Sequence, residues 1–175
     1  PKNARRQRAL LHLLGADFSA AAKLLASAKG LGWSSAEHPG HLLFPLFVSL
    51  LGGVELPDEP ERDVDELSPL TDRDGAQLVT PAVADLIGLA DIQPPTESAT
   101  RAAITRSMRT AAEKRISGVT ENKRRRHYGH AASLALACAQ VDSSTAGAKW
   151  LEGIRDEYRR YPALQRELGR RKGRA

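Results

Sequence analysis

Apolar residues recur along this chain at three- and four-residue intervals, and the strict alternation of a half-buried strand is almost absent. The pattern predicts an all-α protein of packed antiparallel helical hairpins, with about seven or eight helices. A first helix is expected over residues 4–14, with Leu10, Leu11, Leu13 and Leu14 on its buried side and Gly15 ending it. A second begins at Asp17 or Ser19 as N-cap and continues to residue 29, where Gly30 and Gly32 close it. Residues 32–53 form the most apolar stretch. His38 as N-cap and Pro39 at the first helical position open its helix, Pro45 kinks or restarts it, and Gly52 and Gly53 end it.

Acid and proline then take over in residues 54–79, which read as an exposed connection between an N-terminal half, 1–53, and a C-terminal half, 80–175. The two halves are expected to form one compact domain. Thr80 and Pro81 start a short helix to about residue 90. A longer helix from residue 96 or 97 to 117 carries Ala103, Ile104, Met108, Ala111, Ala112 and Ile116 on its packing face. Gly118 is expected to end it and Thr120 to cap the next, over 122–141. Helices over 145–160 and 162–169 complete the chain, the first with Trp150, Leu151, Ile154 and Tyr158 as its apolar stripe.

The formal charge of +5 on 175 residues changes this picture less than its distribution does. Residues 55–74 hold nine Asp or Glu against two Arg, whereas residues 101–126 hold nine Lys or Arg against two Glu. Lys123, Arg124, Arg125 and Arg126 form an anion-attracting cluster, extended by Arg106, Arg109 and Arg115 into an expected basic face. Placed at a helix start, such a cluster is opposed by the helix dipole, which favours an external anion. A protein partner with an acidic surface is the first reading. RNA or DNA is the second, with Tyr128 and the adjacent histidines stacking on unpaired bases. Pairing of the acidic stretch with the basic face within the chain is a further reading of the same charges.

Histidines add a third class. His38 with His41, and His127 with His130, each have the i, i+3 spacing that directs two imidazoles from one helical face, and two facing pairs would complete a four-nitrogen site for zinc. No other cofactor is implied. The single cysteine, Cys138, lies on an apolar stripe and reads as a buried, inert thiol in a reducing compartment. The chain contains no G-x-S-x-G, no phosphate-binding glycine loop and no dinucleotide fingerprint, so binding is favoured over catalysis. With no apolar stretch of membrane-spanning length and no apolar signal core in PKNARRQR, a cytoplasmic protein without a membrane partner is expected.

Residues 18–24 and 128–134 share an aromatic-x-x-Ala-Ala-x-Leu pattern. The run ADFSAAAKLLASAK resembles the second helix of a tetratricopeptide repeat: Asp17, Phe18, Ala21, Leu24, Leu25 and Ala28 match, and Ala16 stands where the family has glycine. The resemblance covers residues 4–30 closely and 120–170 loosely, without the regular spacing of an array. It implies a degenerate helical-hairpin scaffold that binds peptides or proteins rather than an enzyme. The Ala- and Arg-rich style is also similar to that of bacterial proteins from high-GC genomes.

Overall fold

A computed structural model of the chain describes residues 4–35, 37–52 and 89–169. The expected connection over 54–79 and nearly all of the short helix from Thr80 lie outside the described residues. Among those described there are seven α-helices and no strand: α1 (Ala4–Leu14), α2 (Phe18–Ser27), α3 (Gly40–Leu50), α4 (Ser98–Glu121), α5 (Tyr128–Val141), α6 (Thr145–Glu157) and α7 (Pro162–Gly169). Short 3-10 turns at Gly32–Ser34 and Arg125–His127 precede α3 and α5. No helix among the described residues is long and apolar enough to cross a membrane.

Local chemistry accounts for most boundaries. The Asp17 carboxylate accepts the Ala20 N–H at 3.0 Å and starts α2, and the Ser144 hydroxyl accepts the Gly147 N–H at 3.3 Å and starts α6. α1 ends in a Schellman motif, in which Asp17 N–H donates to the His12 carbonyl and Ala16 N–H to the Leu13 carbonyl. The left-handed position is Ala16, at φ 52°, not the expected Gly15. Only part of the expected α1 face is covered: Leu13 is buried, but Leu11 and Leu14 are 68% and 53% exposed, because α2 and α3 reach the helix from one side only. α3 runs unbroken through Pro45; almost its whole surface is buried, and that packing outweighs the roughly 3 kcal/mol proline penalty.

Several boundaries fall elsewhere than expected: α2 ends at Ser27, α3 starts at Gly40 with Pro39 as its N-cap, α5 starts only at Tyr128, α6 ends at Glu157, and α4 runs on to Glu121. Gly118 does not end α4 but lies inside it, and Thr120, instead of capping the next helix, donates its hydroxyl back to the Ile116 carbonyl at 2.7 Å. The reason is tertiary: a Cβ at Gly118 would sit 3.3 Å from Leu31 Cγ and 3.4 Å from the Gly30 carbonyl carbon, so the glycine is a contact point with the α2–α3 connection.

α4 packs against α2 on one side and α5 on the other, and α5 in turn carries α6 and α7. Contacts of Arg115 with His130 and of Arg109 with Asp142 fix α4 and α5 as an antiparallel pair. Two apolar clusters result. Leu25, Leu43, Phe44, Phe47 and Met108 centre the first, and Ile116, Leu134's neighbour Ala135, Leu164 and Leu168 belong to the second. Both α4 and α5 contribute to both clusters, so these helices join the two halves that the composition distinguishes.

Candidate functional site

The basic cluster occupies the turn between α4 and α5. Glu121 is the last residue of α4, and the chain leaves it through a second Schellman motif: Arg124 N–H donates to the Val119 carbonyl at 2.8 Å and Lys123 N–H to the Thr120 carbonyl at 3.1 Å. Lys123 holds the left-handed position at φ 54°, where glycine would be unstrained. Lys123, Arg124, Arg125 and Arg126 are all exposed, and none of them makes an ion pair among the described residues. The cluster follows the carboxy end of α4 as well as preceding α5. The dipole of α4 therefore favours these cations, and the expected opposition by a helix start is offset.

The other residues assigned to this face are not on it. Arg115 is 2% exposed; its Nε donates to His130 Nδ1 at 3.2 Å and its Nη1 to the Gly30 carbonyl at 3.3 Å. Tyr128 is buried in the second apolar cluster and is not part of the exposed surface of the turn. His127 is buried as well, accepting from Arg126 Nε at 3.0 Å. Arg109 forms an ion pair with Asp142 and lies over the Trp150 ring, 5.3 Å from its centroid. Asp142 follows the last residue of the 14-residue α5, about 20 Å along that helix from the basic turn. Arg106 is exposed beside Arg109's end of α4. The seven cations thus separate into an exposed turn, one buried tie and a second group at the far end of the hairpin.

Three of the four expected metal ligands meet, but around a tryptophan. The buried Trp33 ring stacks on His38 with centroids 4.4 Å apart and meets the edges of His41 at 5.4 Å and His130 at 4.9 Å. Gly40 permits this, since a Cβ there would lie 2.3 Å from the Trp33 ring. Both His38 nitrogens are engaged: Nε2–H donates to the Lys29 carbonyl at 3.2 Å, and Nδ1 accepts the Gly40 N–H at 3.1 Å, which caps α3. His41 Nε2 bonds the Trp33 carbonyl at 2.8 Å. Burial, then the neighbouring His41, with Arg115 and His130 adding, holds His38 at about 4 instead of 6.5, against a smaller opposing effect of the Lys29 carbonyl. Among the described residues no three His, Cys, Asp or Glu side chains are grouped to hold a metal ion. Of the four histidines, His38 and His41 bond main chain, His130 accepts from Arg115 and His127 from Arg126.

This second assembly is a structural lock. It joins the α2–α3 connection to α4 and α5, and Arg115 is its cross-tie. Replacement of Arg115 by Ala is expected to lower stability by about 2–3 kcal/mol, since the part-buried Gly30 carbonyl and His130 Nδ1 lose a charged donor together. Urea unfolding of the variant measures this; a loss below about 0.5 kcal/mol, the range of surface changes, would show that the tie carries no weight.

Trp33, Gly30 and Arg101 were not legible as site residues, although Arg101, Thr105 and Arg109 at i, i+4 and i+8 form a polar stripe on α4. Cys138 is fully buried, and burial pushes its thiol far above the ordinary range, so no nucleophile arises there. No protein-family model matches the chain, and no curated protein or solved structure matches it significantly.

Proposed function

We propose that the chain acts by binding, with the α4–α5 turn as its working surface and an acidic patch of a protein partner as its ligand. The supporting observation is the exposure of four consecutive cations on a turn held by main-chain hydrogen bonds, without an ion pair among the described residues. A rigid backbone presents these charges at little ordering cost in the main chain. Steering by such a cluster raises the rate of encounter with an acidic surface and sets orientation. Burial of Tyr128 and His127 favours a protein over unpaired bases, because both rings beside the turn face inward.

Fluorescence polarisation tests the reading, with a labelled Glu-rich peptide and labelled single- and double-stranded oligonucleotides as probes at two salt concentrations. The peptide is expected to bind the wild-type chain and to lose at least about tenfold in affinity when Arg124→Glu and Arg126→Glu are combined, as for charge pairs facing a partner. Tighter binding of the oligonucleotides, weakening steeply with salt and lost in the same variant, would replace the protein partner with nucleic acid. Peptide binding that ignores the charge reversals would remove the turn as the surface.

A further inference from the structure

At the opposite end of the α4–α5 hairpin from the basic turn, a cleft of about 400 Å³ opens between the end of α3, α4 and the end of α5. Its size lies within the range of small-molecule sites, roughly 300–1,000 Å³. Leu51 and Val141 give it two apolar walls, and Arg101, Arg106 and Arg109 bring three guanidinium groups to it against one carboxylate, Asp142. Arg109 is the paired member: Asp142 holds it from one side and Trp150 lies under it, while its buried Nε has no hydrogen-bond partner. Asp142 is itself kept ionised, first by the Ser144 hydroxyl and also by the Ser144 N–H and Arg109. Its charge is therefore already committed to Arg109 and to the start of α6.

Arg101 and Arg106 remain without a carboxylate among the described residues. Among the described residues Arg101 is anchored by long hydrogen bonds of 3.4 Å to the Pro95 and Leu51 carbonyls, and Arg106 is exposed at the rim. Two guanidinium groups lining one concave surface favour an anion there, and guanidinium is suited to binding a phosphate.

We propose that this cleft binds a small molecule carrying a phosphate monoester, with Arg101 and Arg106 clamping the phosphate and the apolar walls covering the group it is attached to. Two cations with no carboxylate partner among the described residues match the charge of about −1.5 to −2 on such a phosphate near neutral pH, which a monoanion does not. Thr105, between the two arginines in sequence, spends its hydroxyl hydrogen on the Arg101 carbonyl at 3.0 Å, so the clamp is made by the arginines.

Calorimetric titration of the full chain with phenyl phosphate, with phenyl sulfate and benzoate as monoanionic controls, tests this. Saturable phenyl phosphate binding is expected, at least fivefold tighter than either control. It should fall at least fivefold in Arg106→Gln and in Arg101→Gln but not in a variant combining Arg124→Gln and Arg126→Gln. Arg106 is exposed and makes no hydrogen bond among the described residues, so its variant keeps the fold and isolates the charge. Absence of saturable binding, equal affinity for benzoate, retained binding in Arg106→Gln, or an equal loss in the turn variant would each overturn the assignment.

Discussion

Stability of the chain is expected to fall by about 3 kcal/mol through one histidine as the pH is lowered from 6.5 to 4. His38 is 6% exposed and titrates at about 4 in the fold, against 6.5 in its ordinary environment. Between those values the unfolded chain binds the proton and the folded chain does not, so stability rises with pH across this window and is lost as pH falls through it. The full contribution is present above 6.5 and is exhausted below about 4. At about 1.4 kcal/mol per pH unit the interval corresponds to roughly 3 kcal/mol.

The cause is visible in the hydrogen bonds. His38 Nδ1 accepts the Gly40 N–H, so a proton placed there sets two donors against each other and uncaps α3. The new charge would also face His41 from α3, Arg115 from α4 and His130 from α5. Urea unfolding at several pH values checks the effect by comparing wild type with His38→Gln, in which an amide replaces the titrating ring. The variant is expected to lose less stability over the same interval by about that amount, the carboxylate contribution being common to both chains. Parallel curves for the two proteins would show that His38 is not the group responsible.

The second large effect comes from an atom that is missing. A Cβ on Gly30 would stand 1.8 Å from the Lys114 carbonyl oxygen and 2.4 Å from its carbon, both in the backbone of α4. No side-chain rotation relieves that overlap, and Gly30→Ala must move the α2–α3 connection off α4, stretching the Arg115 bond to the Gly30 carbonyl as it goes. A loss of about 3 kcal/mol or more is expected, at the upper end of overpacking costs. Gly118→Ala is the internal comparison. Its Cβ would meet the flexible Leu31 side chain at 3.3 Å, and alanine gains about 1 kcal/mol of helix propensity over glycine, so this variant should lie within about 1 kcal/mol of wild type. Equal losses in the two variants would mean that close backbone approach at Gly30 is not what holds the junction.

Much of this architecture was legible locally. Helical periodicity, the Asp17 cap and Pro162 at a helix start gave elements whose bounds match at α1, at the start of α6 and throughout α7. The exposed charge of residues 123–126 was legible too, because four consecutive long cations cannot all be turned inward. Arg115 and Tyr128 were misplaced on the surface for the same reason that Gly118 was read as a helix end. Each has an ordinary surface or breaker identity, and each is overruled by a neighbour distant in sequence: Gly30 and His130 for Arg115, Leu31 for Gly118, and the α7 leucines of the second cluster for Tyr128.

The sequence by itself determined the all-helical class, the Asp17 cap and the separation of charge along the chain, since these depend on residues within a few positions of one another. Only the tertiary structure decided that three histidines surround a tryptophan with their nitrogens bonded to main chain and arginine, and that the basic residues divide between a turn and a cleft. Periodicity states which face of a helix is covered, but which face meets which depends on how closely two backbones approach. Here that approach is set by the absent side chain of Gly30.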